Sequence, residues 1–251
     1  MTLQHSEREL SQLGDKDLAR IISGVKAAFQ KRHPEMKDIA LPGQVVSSKE
    51  AQATKVDLRQ ETLDLLSGNT FREPTDQEKE ILGTKGYDVF LPTEAKSLYT
   101  VVAENKGHFW TDELDYVNAR PELRDFVPPA LIVVLRSQDL FLSNSFSKSQ
   151  AVQLQMHEVE SQALQKELPD VRNIMLPASV GAQLDLAYFK ETGRVLFTNR
   201  FARALDETSD VHVALVGRNH PGLQLRVGGW GRDFGFDRVG ALSAAVMINR
   251  Q

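Results

Sequence analysis

The stretch from residue 211 to 248 constrains the fold most. VHVALVGR (211–218), the turn NHPG (219–222), LQLRVGGW (223–230) and VGALSAAVMI (239–248) read as consecutive strands around a glycine-rich link. Glycine weakens a strand interior unless tight backbone is needed. Gly228, Gly229, Gly231 and Gly235 stand there beside Trp230, Arg232 and Asp233. The link is not a phosphate loop: it holds neither G-x-G-x-x-G nor G-K-[ST], and a strand rather than a helix follows it. Its plain structural reading is a bulged or widened hairpin whose glycines make room for Trp230. Its functional reading is a ligand surface. Trp230 offers a stacking face, Arg218, Arg226 and Arg232 offer cationic contacts, and Asp233 orients an arginine. His220, in the turn, joins that rim if the turn folds toward the link.

The rest of the chain supplies helices and further strands. Ser6-Glu7-Arg8-Glu9 has the capping-box form, and Leu10, Leu13, Leu18, Ile21, Ile22, Val25 and Phe29 follow at mostly helical spacing up to His33-Pro34. A second helix ends near Ser67-Gly68. A second capping box, Thr75 to Glu78, opens a third helix that Gly83 and Gly86 stop, so the chain reads as all-helical up to this point. From Tyr87 the character changes. YDVFLP reads as a strand, Thr93 as the cap of a helix, ALIVVLR as the strongest strand and LFLSNSF as its hairpin partner. Ser147 with Gln150 forms a third capping box before a helix to Leu168, another helix fills roughly 178–191, and RVLF reads as a strand. Arg200 to Thr208 then reads as a surface loop or a clasp over the sheet.

This order predicts an α+β fold: a mixed or largely antiparallel sheet with helices packed on one side over 87–251, preceded by an N-terminal helical region, 1–85. That region either packs on the core or forms an arm. A chain of 251 residues with 41% hydrophobic and 25% charged residues buries enough surface to fold without staples. It has no cysteine, which excludes thiolate catalysis, thiolate metal sites and disulfides. The net charge of −4 disfavours broad nucleic-acid binding, which depends on neutralising phosphates. No apolar run reaches the roughly 20 residues of a membrane span, and no signal peptide is evident, so a soluble, cytoplasmic protein is expected.

Other chemistry-bearing clusters are weaker. Met156-His157-Glu158-Val159-Glu160-Ser161 misses the zinc pattern H-E-x-x-H, because Ser161 stands where the second histidine would be. His108, Trp110, Asp112, Glu113, Asp115 and Tyr116 crowd one segment, either as acid–base or metal groups or as an acidic helix start. No pattern calls for a metal or a cofactor. Three functions are consistent with these residues. The preferred one is a binding protein for a polar or anionic ligand at Arg218, Arg226, Trp230, Arg232 and Asp233. The second is a cysteine-independent hydrolase or transferase pairing His220 or His108 with Asp233 or Asp112. The third is an interaction or assembly protein, with the N-terminal helices docking on a protein partner or on another copy.

Overall fold

The computed structural model describes residues 57–220 and 224–249. The apolar stripe at Leu18, Ile21, Val25 and Phe29 lies outside them. Helix α1 (Leu58–Gly68) starts where the Asp57 carboxylate accepts from the Arg59 and Gln60 amides. It leads into strand β1 (Thr70–Arg72), so this stretch is not wholly helical as the sequence suggested. Helix α2 (Asp76–Thr84) opens on the expected capping box, in which Glu78 accepts from the Thr75 amide at 2.7 Å. Both oxygens of the same carboxylate also take Arg72 guanidinium hydrogens at 2.7 Å, which holds Glu78 down at about 2.

Strand β2 (Tyr87–Pro92) pairs antiparallel with β3 (Ile132–Arg136). Between them lie the short helices α3 (Leu98–Glu104), α4 (Glu113–Asn118) and α5 (Pro121–Arg124). Ser97, not Thr93, caps α3; the Thr93 hydroxyl is instead engaged by the Leu131 amide. Helix α6 (Gln150–Gln165) is capped by Ser149 rather than Ser147, whose φ of 58° removes it from the cap geometry. With Asn144 at φ 61°, LFLSNSF cannot run extended. It makes one isolated bridge, Phe141 to Leu242, in the link between two later strands, Val239–Gly240 and Ala244–Asn249. Strand β4 (Val171–Asn173) precedes helix α7 (Ala178–Thr192), which ends at Gly193 in the left-handed conformation, φ 69°.

RVLF is not a strand either. The Asp185 carboxylate takes the amides of Leu196 and Phe197, at 3.0 and 3.2 Å, in place of a neighbouring strand. The segment expected as a loop or clasp is instead the long strand β5 (Arg200–Ser209), paired antiparallel with β6 (His212–Arg218), which pairs in turn with β7 (Arg226–Gly231). The expected run 239–248 divides. Strand β8 (Val239–Gly240) pairs parallel with β5, and the chain then crosses to the other sheet as β9 (Ala244–Asn249).

The fold is therefore α+β with two sheets. One is ordered β1-β9-β3-β2, with β4 also on β9; the other is ordered β7-β6-β5-β8. The two-residue period of strands splits the core. Val133, Leu135, Ala244 and Val246 face a large cluster shared with the second sheet and α7, while Val134, Ala245 and Met247 face a smaller one with Leu82 and Leu164 from α2 and α6. Both faces of β9 are thus buried, which explains its unbroken apolar run.

Candidate functional site

Strand β7 is an edge of the second sheet. Arg226, Gly228 and Trp230 share one of its faces, and Val227, on the other, is buried in the core. Gly217, Leu215 and Val213 of β6 lie directly opposite those three residues, and Leu215 and Val213 are buried beneath the protein's own packing. At one end the Arg226 guanidinium sits 5.0 Å over the ring of half-exposed Trp110. At the other, Trp230 stacks on Phe236, with ring centroids 4.8 Å apart. A Cβ at Gly228 would meet no atom within 4 Å, so the space between the two aromatic ends is open. Arg226 and Trp230 are four residues apart, about 13 Å along an extended strand.

The surrounding packing fixes this face. Arg203, 2% exposed, donates to Gln153 Oε1 at 2.8 Å and to the carbonyls of Phe234, Lys148 and Gly231 at 2.9, 3.2 and 3.3 Å. Its burial among neutral acceptors pulls the guanidinium down to about 10. One side chain thereby ties the glycine link to the start of α6. Gly235 is required where the link crosses Ser147: a Cβ there would lie 2.3 Å from the Ser147 carbonyl. On the far side, the Glu113 carboxylate of α4 accepts from the Val227 amide at 2.9 Å. Burial pushes that carboxyl up to about 7, against the pull of the Val227 amide and of Arg226.

The residues singled out from sequence do not all meet. Arg226 and Trp230 share the β7 face. Arg232 follows it, donating to Glu207 at 2.7 Å, and Asp233 is exposed in the link. Arg218 points elsewhere. It is 5% exposed and forms an ion pair with the fully buried Asp185 of α7, so it serves the core rather than a rim. His220 is exposed beyond the end of β6. His108 borders a groove of about 660 Å³ between α3 and α7, with its ring edge-on to Phe189, and no hydrogen bond joins it to Asp112, which precedes α4. The polar lining of that groove is largely self-paired: Lys96 reaches Glu94 and Glu104, both at 2.8 Å, and Gln183 holds the Glu94 backbone.

Sequence reading missed the Trp110–Arg226 contact, because it joins segments far apart in the chain. The signal present was the aromatic and acidic crowding at 105–116. Among the described residues no group of three or more His, Asp or Glu is placed to hold a metal, and no helix is long and apolar enough to cross a membrane. No protein-family model, curated protein or solved structure matches the chain.

Proposed function

We propose that the chain is a binding protein whose ligand lies along β7, spanning Gly228 between the Trp110–Arg226 and Trp230–Phe236 pairs. The observation that carries this reading is the open gap at Gly228 between two half-exposed aromatic ends. Arg226 makes no ion pair among the described residues, and its guanidinium, 5.0 Å from the Trp110 ring centre, has donors for an incoming acceptor. A polar or anionic ligand with flat or apolar faces fits this chemistry: its faces pack on the exposed indoles, and its oxygens meet Arg226. Arg218, committed to Asp185, has no part in the contact.

The test is a thermal-shift screen of the full chain against inorganic phosphate, nucleotides, sugar phosphates and acidic oligosaccharides. A compound that raises the melting temperature of the wild type should lose that effect in Arg226→Ala and in Trp230→Ala. If both variants keep every shift shown by the wild type, the reading is wrong.

A further inference from the structure

Strand β7 leaves main-chain groups unpaired on the side away from β6. Antiparallel pairing turns only alternate residues toward a given neighbour. The Val227 amide meets Glu113 instead of a strand, so Val227, Gly229 and Gly231 are the residues whose N–H and C=O groups look outward. Some of those groups are taken. Val227 is 2% exposed and its N–H is held by Glu113, while the Gly231 carbonyl accepts from the Phe234 amide at 3.2 Å and from Arg203 at 3.3 Å. The N–H and C=O of Gly229 and the N–H of Gly231 have no partner among the described residues. Gly229 is exposed, and without a side chain its exposure is that of the backbone itself.

Edges of this kind are usually blunted by lysine, proline or a bulge. From Val227 to Gly231 there is none: the residues are Val-Gly-Gly-Trp-Gly and the β6–β7 register runs without a shift. The glycines also have to stay bare, since a Cβ at Gly229 would lie 2.7 Å from Thr208 Oγ1 and one at Gly231 would lie 2.5 Å from the Phe234 ring. One step earlier the same edge takes a main-chain partner. Leu225 donates to the His108 carbonyl at 2.8 Å and accepts from the Trp110 amide at 3.0 Å, a contact that ends as the chain turns into α4. Exposed aromatic rings surround the open stretch, Phe234 at 69% and Trp230 and Phe236 at 36% each. Arg226 adds a positive charge at the Trp110 end.

We infer that the open edge at Gly229 and Gly231 takes an extended peptide of a protein partner, added to the sheet as a further strand beside β7. Such a peptide is the β7 ligand proposed above, specified by class, and the assignment rests on that reading. Donor, acceptor and donor at strand spacing match a peptide backbone rather than a sugar or a phosphate. Side chains of an added strand alternate between its faces. On the face shared with Gly228, one side chain carries a carboxylate to Arg226, and the next, two residues along, is apolar and packs on Trp230. Backbone bonds supply affinity, and these two side chains supply selectivity.

The experiment screens the ¹⁵N-labelled full chain against a positional-scanning library of acetylated, amidated pentapeptides free of tryptophan, then follows hydrogen exchange with the selected sequence. Selected peptides should carry an acidic and an apolar residue two positions apart and should slow exchange of the Gly229 and Gly231 amides. N-methylation at alternate peptide residues should weaken binding about tenfold, for want of a backbone hydrogen bond, and at the intervening residues should not. Arg226→Gln should remove the acidic preference. Equal binding of every N-methylated peptide, or glycine amides that exchange as fast in the complex, overturns strand addition. No binding by any pool at millimolar concentration, while a compound of the thermal-shift screen still binds, overturns the peptide and leaves the β7 ligand reading standing; if neither binds, both fall. Glycine amides that become protected as protein concentration rises without peptide assign the edge to a second copy of the chain and overturn the peptide as well.

Discussion

Replacing Glu113 by Gln tests the electrostatics that hold α4 against β7. Glu113 is 3% exposed, and the ordinary value of its carboxyl, 4.5, rises to about 7 because burial disfavours the charged form. A folded-state value above the unfolded one means that the folded chain binds the proton more tightly. The associated stability is therefore complete below pH 4.5 and is lost as the pH rises from there through about 7. At about 1.4 kcal/mol per pH unit, the loss approaches about 3 kcal/mol, an upper bound since structural relaxation reduces it. Glutamine keeps an oxygen to accept from the Val227 amide and cannot ionise. Urea unfolding of wild type and Glu113→Gln at both ends of this range gives the difference directly. The two should be nearly equal in acid, with the variant more stable by about 2–3 kcal/mol at pH 8. Buried Asp206, pushed up to about 6, adds to the same trend in both proteins and cancels from the comparison. A variant less stable than wild type at pH 8, or one with the same pH dependence, would refute the argument.

Two glycines should behave oppositely. Gly235→Ala places a methyl against the Ser147 backbone and should cost about 1–3 kcal/mol, whereas Gly228→Ala, in open space, should fall within about 0.5 kcal/mol of wild type; chemical denaturation distinguishes them. Arg218→Met should cost about 3–5 kcal/mol by leaving Asp185 buried without its partner, and should leave ligand-induced melting shifts intact in the folded fraction. A variant that keeps its stability while losing those shifts would return Arg218 to the site.

Local rules made much of the fold legible. The box at Thr75 and Glu78 and the strand-forming runs YDVFLP and ALIVVLR all act within a few residues, and the structure has those elements. Where sequence reading erred, a distant side chain or a backbone constraint decided the outcome. Asp185 claims the amides of RVLF from a helix turn well upstream, and Ser147 adopts a left-handed φ as Gly235 crosses it. The crossing of the chain from β8 to β9 cannot be read from VGALSAAVMI, because a strand buried on both faces looks alike in either sheet. At the candidate site, Trp230 and Arg226 stand out by residue type and spacing alone. The diversion of Arg218 to Asp185, and the arrival of Trp110 beside Arg226, depend on how α7 and the segment before α4 pack.

Trp110 and Trp230 are the chain's two tryptophans and stand at opposite ends of the Gly228 gap, so intrinsic fluorescence reads this face directly. The decisive measurement is a fluorescence titration of wild type and Gly228→Leu with whichever compound of the screen raises the melting temperature. A saturable change in tryptophan emission is expected, which Gly228→Leu abolishes, because the leucine side chain fills the gap without disturbing the core. A compound that binds with unchanged emission, or equally well to Gly228→Leu, would contradict it.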